Sequence, residues 1–199
     1  MKLFAIMLLL LSTLTTTVYA KTLQTAIFAG GCFWCVESDF DQVEGVVETT
    51  SGYTGGTVAN ATYKQVTRGG TGHYEAVRIV FDADVTSYDQ LLYVFWRTVD
   101  PTDAGGQFCD RGDSYRTAIF ATDAAQAASA KASKAALSGR LSAPIVTPVL
   151  AAGDFWEAEG YHQNYHNTNS LKYGFYRSRC GRDARVKQLW GDEAIFAHK

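Results

Sequence analysis

The chain has 199 residues, 47% of them hydrophobic and 19% charged, and a formal net charge of -2. That length and composition fit one globular domain with a sizeable core. The near-balanced charge, with no basic block, excludes a surface built to track nucleic-acid phosphates.

The N-terminus differs from the rest. Met1-Lys2 gives a small positive start, Leu3 to Leu11 is apolar, and Val18-Tyr19-Ala20 ends a small polar stretch in the manner of a cleavage site. This layout predicts a signal peptide over 1–20 and a single domain over 21–199. The apolar run is short for a bilayer span and no cysteine follows Ala20, so neither membrane insertion after cleavage nor a lipid anchor is expected. The expected location is outside the cytoplasm, in a periplasm. In that setting Cys32, Cys35, Cys109 and Cys180 are either structural or redox-active.

Thr25 to Ala29 reads as a buried strand that ends in Gly30-Gly31, and Phe33 to Phe40 reads as a helix. Gly45 to Ser51 predicts a second strand, closed by Gly52-Tyr53-Thr54-Gly55-Gly56. The polar stretch from Thr57 to Gly72 predicts a loop. Tyr74 to Phe81 alternates as a strand does. Ser87, with Gln90 three residues on, predicts the start of a helix through Trp96 that ends before Pro101. A Gly- and Asp-rich loop over 102–113 precedes a short strand from Thr117 to Ala121. An Ala-rich helix is expected from Ala124 to Leu141, then a strand from Ile145 to Leu150. From Asp154 onward the sequence is aromatic, polar and poorly periodic, which predicts turns and short helices wrapped over the core. The order predicts an α+β fold: a two-layer sandwich around a mixed sheet, with a split βαβ (ferredoxin-like) core and an irregular C-terminal tail.

Gly30-Gly31-Cys32-Phe33-Trp34-Cys35 carries the most chemistry. Cys32 stands where a helix begins, and exposed N–H groups and the helix dipole favour a thiolate there. Phe33 and Trp34 place an apolar aromatic patch beside it. On the residues alone four readings stay open: a disulfide exchanger, a zinc site of four cysteines, a structural disulfide, and nucleophilic catalysis by Cys32. Glu75 heads the alternating strand, where partial burial would raise its pKa and make it a proton donor. Tyr53 on its glycine turn, and Asp110 and Tyr115 flanking Gly112, offer polar contacts. His73 and His162 read as bases or as structural hydrogen-bonding groups.

The combination resembles the peptide-methionine (S)-S-oxide reductase family. The resemblance rests on Gly31-Cys32-Phe33-Trp34, Ser51-Gly52-Tyr53-Thr54-Gly55-Gly56, Thr71-Gly72-His73-Tyr74-Glu75-Ala76-Val77, Asp100-Pro101 with Asp110 to Arg116, and Tyr161-His162-Gln163-Asn164-Tyr165. It implies that residues 21–199 form one catalytic reductase domain acting on oxidised proteins and peptides that carry methionine sulfoxide. It also implies selectivity for the S epimer. Cys32 would attack the sulfoxide sulfur and Glu75 would protonate its oxygen. Tyr53 and Tyr115 would hydrogen-bond that oxygen. Phe33 and Trp34 would hold the substrate methyl group, and Asp110 would order the site, in part through water. No metal or cofactor is implied beyond an external dithiol such as a thioredoxin-like protein, and a monomer is expected.

The chain departs from the family pattern at Cys35, where many members have Gly, and at Cys109, where Asn is frequent. Either Cys35, about one helical turn from Cys32, or Cys180, which matches the family's C-terminal cysteine by position, is the expected resolving thiol. A Cys109–Cys180 disulfide, structural or acting as a relay, is the third arrangement.

Overall fold

The computed structural model describes residues 21–197; the expected signal peptide lies outside them. Strand β1 is Leu23–Gly30. Its side chains are buried on both faces, with Ala26 and Phe28 in the larger core and Ile27 and Ala29 in a smaller one. That double burial is why the segment reads as a continuous apolar run. Helix α1 (Phe33–Phe40) leads to β2 (Val46–Thr54), α2 (Tyr63–Arg68), β3 (Tyr74–Asp82) and α3 (Tyr88–Trp96). Two short strands, β4 (Gly106–Gln107) and β5 (Asp110–Arg111), form a hairpin before β6 (Thr117–Ala121) and α4 (Ala124–Ala136). The chain ends with β7 (Val149–Ala151), β8 (Phe155–Glu157), α5 (Tyr165–Thr168), α6 (Ser170–Cys180) and α7 (Arg182–Trp190).

The main sheet has the order β7-β6-β1-β3-β2-β8. Only β6 and β7 run parallel, so the sheet is mixed. β3 lies between β1 and β2, the two strands that α1 connects. Helices α1, α3 and α4 pack on one face around Phe28, whose ring lies 5.4 Å from Phe40 and 5.0 Å from Phe95. The opposite face carries the smaller cluster of Ile27, Ala29, Tyr74, Ala76, Ala118 and Phe120. The architecture is α+β, as expected.

Six local expectations need correction. Strand β2 runs on to Thr54, past the expected limit of Ser51, so Gly52 and Tyr53 lie in the sheet and not on a turn. The loop expected over 102–113 contains the β4–β5 hairpin. The polar stretch 57–72 contains helix α2. Its start is fixed where Gln65 Oε1 accepts the Thr62 N–H at 2.9 Å, a Thr-x-x-Gln pattern hidden in polar sequence. Helix α4 stops at Ala136, short of Leu141, because Ser138 bonds back to Ala135 and Gly139 takes a φ of +78°. Strand β7 begins at Val149, just after Pro148, and ends at Ala151, past the expected limit of Leu150. The C-terminal region is more regular than expected. Helices α6 and α7 have 11 and 9 residues, and β8 extends the sheet beside β2. Their periodicity is obscure because the positions turned inward include Arg177 and Arg182, not only apolar residues.

Candidate active site

Gly31 has a φ of +86°, and a Cβ there would fall 2.5 Å from Gln107 Cβ. Only glycine fits that turn. The turn delivers Cys32 to the N-cap of α1, where its carbonyl accepts the Cys35 N–H at 3.1 Å. The Phe33 N–H, left free at the helix start, donates to Glu75 Oε2 at 3.1 Å. Glu75 comes from β3, in register with Tyr53 of β2. It is 1% exposed, and its Oε1 has no hydrogen-bond partner. Burial pushes the Glu75 pKa up to about 8, the charge of Asp110 adds to this, and the Phe33 N–H pulls the other way. Glu75 therefore keeps its proton at neutral pH.

Cys32, Phe33, Trp34 and Glu75 line a pocket of about 60 Å³ together with Tyr63, Asp110, Tyr115 and Tyr176. Burial raises the pKa of both Tyr63 and Tyr115, with the Glu75 charge second in each case, so both hydroxyls remain donors. Trp34 is held rigidly. Its ring stacks on Tyr165 at 3.8 Å and its Nε1–H donates to His162 Nδ1 at 3.1 Å. Asp110, on β5, accepts a short hydrogen bond from the Tyr176 hydroxyl. That is a direct protein contact at the group expected to act through water.

Of the residues singled out in the sequence for the substrate, Tyr53 alone is not brought to this pocket. It is fully buried, and its hydroxyl donates to Glu159 Oε2 at 2.9 Å. The pocket phenols are Tyr115 and Tyr63. Sequence reasoning missed Tyr63, although the Thr62–Gln65 pattern places it at the first position of a helix. Tyr53 supports it at one remove, because Glu159 Oε1 accepts the Tyr63 backbone N–H at 3.0 Å. Tyr176 and Glu159 were missed as well, since both belong to the aperiodic tail. His73 is structural: Nδ1 accepts the Gly56 N–H at 3.1 Å and Nε2 bonds the Val58 carbonyl at 2.8 Å. His162 serves as the acceptor for Trp34.

The cysteines separate into two pairs. Cys109 and Cys180 form a disulfide, while Cys32 and Cys35 are buried free thiols. Cys180 is thus bonded to Cys109 and not free to reach Cys32. Cys109, Asp110 and Cys180 are grouped closely enough to suggest a metal site, but the two sulfurs are spent on each other. The helix-start argument needs revision for Cys32. Burial, then the adjoining Cys35 and the Glu75 charge, hold its pKa well above the ordinary thiol value. Cys35 is shifted down, first by its contact with Cys32 and then by the Arg182 and Arg177 charges, against the cost of burial. Desolvation outweighs the dipole of an eight-residue helix at Cys32, and of the two thiols Cys35 is the more acidic.

Residues 24–194 match the family model described as peptide methionine sulfoxide reductase. Among relatives, the peptide methionine sulfoxide reductase MsrA 2 of Rhizobium meliloti (strain 1021) is 56% identical over 171 residues, covering 86% of this chain and 85% of its own. The MsrA 2 of Caulobacter vibrioides is 49% identical over 189 residues, covering 95% and 96%. Among solved structures, methionine sulfoxide reductase A of Corynebacterium diphtheriae superposes with a TM-score of 0.72 at 32% identity, covering 75% of this chain and 76% of that one. Reduced Mxr1 from Saccharomyces cerevisiae gives 0.71 at 27% identity, covering 74% and 86%. The chain belongs to the peptide methionine sulfoxide reductase family.

Proposed function

We propose that Cys32 is the nucleophile, Glu75 the general acid, and Tyr63 and Tyr115 the hydroxyls that polarise the sulfoxide oxygen. One observation carries this reading: a carboxyl group still protonated at neutral pH and the Cys32 sulfur line the same small aromatic pocket. The Cys32 sulfur attacks the substrate sulfur as a thiolate. Glu75 delivers its proton to the oxygen; the substrate S–O bond and the transient bond between the two sulfurs both break as the hydroxyl passes to the Cys32 sulfur, which leaves methionine and a Cys32 sulfenic acid. Phe33 and Trp34 hold the substrate methyl group, with Trp34 braced by Tyr165. Asp110 and Tyr176, hydrogen-bonded to each other, complete the pocket lining.

Cys35 is the resolving thiol in this reading, because it is free, buried beside Cys32 and the more acidic of the two. Its sulfur displaces the sulfenic hydroxyl to form a Cys32–Cys35 disulfide and water. An external dithiol protein of the thioredoxin type then restores both thiols. No metal or organic cofactor takes part, the S epimer is the substrate, and the enzyme works as a monomer on oxidised proteins and peptides. The leader-like sequence of residues 1–20 supports export to a periplasm, where the reductant would have to reside. Among the described residues no helix is long and apolar enough to cross a membrane.

The test is Cys32→Ser with a peptide carrying methionine-S-sulfoxide. Reduction is expected to vanish, and turnover near the wild-type rate would overturn the assignment. In the wild type, mass spectrometry after one turnover is expected to show a Cys32–Cys35 bond.

A further inference from the structure

Gln107 and Asp110 pair across the β4–β5 hairpin, so Phe108 and Cys109 form a two-residue turn at its tip. The base of the hairpin is well anchored. Gln107 is fully buried, and its side chain accepts the Asp100 N–H at 2.9 Å and donates to the Asp100 carbonyl at 2.8 Å. The tip is held differently. Phe108 has a φ of +57°, a left-handed backbone that is unfavourable for a residue carrying a Cβ. Two contacts fasten it to the C-terminal helices: the Phe108 ring, 4.8 Å from the Arg182 guanidinium of α7, and the covalent Cys109–Cys180 bond to the last residue of α6.

The disulfide also bears directly on the pocket. Asp110 Oδ2 accepts from the Tyr176 hydroxyl and lies 3.8 Å from Cys180 Sγ, one helical turn further along α6. As half of a disulfide that sulfur has neither a proton nor a charge, so Tyr176 keeps the oxygen. A freed Cys180 has one or the other. As a thiol it competes with Tyr176 for Oδ2, and as a thiolate it repels the carboxylate. Either way the Asp110–Tyr176 contact loosens just as the strained tip loses its covalent tie. The bond is accessible. Cys109 is exposed, whereas Cys32 and Cys35 are 7% and 2% exposed.

We propose that the Cys109–Cys180 disulfide is a redox switch on substrate affinity, its bonded form holding Asp110 against Tyr176 in the pocket and its reduced form letting the hairpin tip withdraw. The inference rests on the reading of that pocket as the sulfoxide site, with turnover carried by Cys32 and Cys35. The switch is thrown by an external dithiol. One of its thiolates attacks the exposed Cys109 sulfur, a mixed disulfide forms, and Cys180 leaves as a thiolate that takes a proton from solvent. The second thiol of the reductant then displaces Cys109. The reductant is oxidised to its disulfide, and two electrons and two protons end on Cys109 and Cys180. Affinity for the sulfoxide is therefore highest where the surroundings are most oxidising.

The experiment uses the full chain carrying Cys32→Ser, which binds a methionine-S-sulfoxide peptide without consuming it. Kd is read from tryptophan fluorescence with Cys109 and Cys180 bonded, and again after a dithiol has reduced them and been removed. Reduction is expected to raise Kd about tenfold. By reciprocity, saturating peptide is expected to lower the midpoint potential of the Cys109–Cys180 couple by about 30 mV, read by alkylation and peptide mapping. Adding Cys109→Ser and Cys180→Ser is expected to give the weaker Kd whatever the treatment. A Kd that reduction leaves unchanged would overturn the proposal, even if the double-serine chain does not fold. So would a potential indifferent to peptide, or a reduction effect that persists in Asp110→Ala. With Cys32 restored, a double-serine enzyme that completes one turnover but no second would overturn it too, because the pair would then be a relay. Turnover by the Cys32→Ser chain is a separate failure, of the nucleophile assignment, and is read with no change at Cys109 or Cys180.

Discussion

At the scale of single residues, the pocket turns on where protons reside. In the proposed mechanism Glu75 acts in its protonated form, and burial holds that form to about pH 8. Because Cys32 attacks as a thiolate and burial holds its proton tightly, sulfenic acid formation in the wild type is expected to rise with pH up to about 8 and to level off there, where the folded Glu75 carboxyl releases its proton. Glu75→Gln is expected to slow that step about 100-fold near pH 7 and to remove this break, so that the rate keeps rising through pH 8, as single-turnover measurements across pH will show. The two buried phenols make a second contrast. Tyr63→Phe takes a hydroxyl from the pocket and is expected to cost on the order of 100-fold in kcat. Tyr53→Phe takes a partner from Glu159 and is expected to cost about 1 kcal/mol of stability while retaining most of kcat. Denaturation and steady-state kinetics on the same two proteins separate the outcomes. The motif around Tyr53 is conspicuous in sequence because of its glycines, although Gly52 and Tyr53 lie inside β2, whereas Tyr63 sits in a plain polar stretch.

At the scale of elements, the site depends on two pieces that lack apolar periodicity, the β4–β5 hairpin with Asp110 and helix α6 with Tyr176. The Cys109–Cys180 disulfide ties one to the other across 71 residues of sequence. Closing a loop of that length stabilises a chain by about 4 kcal/mol through the entropy of the unfolded state. Replacing both cysteines by serine is expected to lower stability by up to that amount, measured by urea denaturation. A weaker Asp110–Tyr176 contact is expected to raise KM for the sulfoxide more than it lowers kcat. Dithiol-driven turnover through Cys32 and Cys35 is expected to survive; its loss would make the second pair a required relay. Helix α2 shows the same dependence on distant chain, since Glu159 accepts its first N–H from outside the segment.

At the scale of the whole molecule, the tail is pinned to the catalytic layer by buried polar groups. Glu37 of α1 accepts the Asn164 N–H at 3.1 Å and the Ser51 hydroxyl at 3.2 Å, and burial lifts its pKa to about 7. Glu37 and Glu75 thus bind protons more tightly folded than unfolded. Between the ordinary carboxyl value and the folded values, their contribution to stability falls as pH rises. The buried His162 and half-buried His166, shifted down by desolvation, act in the opposite sense. The difference between wild type and a Glu37→Gln, Glu75→Gln double variant isolates the carboxyls. The variant is expected to gain relative stability from pH 5.5 to pH 8.5 in parallel denaturation curves, and a difference independent of pH would contradict the raised values. The sequence by itself determined the main strands β1, β3 and β6 with helices α1 and α3, the reductase chemistry implied by the motif blocks, and the choice of Cys32, Glu75, Tyr115, Asp110, Phe33 and Trp34, which the fold brings to one pocket. These are legible because alternation, glycine turns and motif spacing are local. Only the tertiary structure decided that Tyr63 and not Tyr53 lines the pocket, that Cys109 and Cys180 bond each other, and that Arg182 reaches the Gly30 carbonyl. Those outcomes depend on desolvation and on contacts between residues far apart in the chain, which no local pattern records.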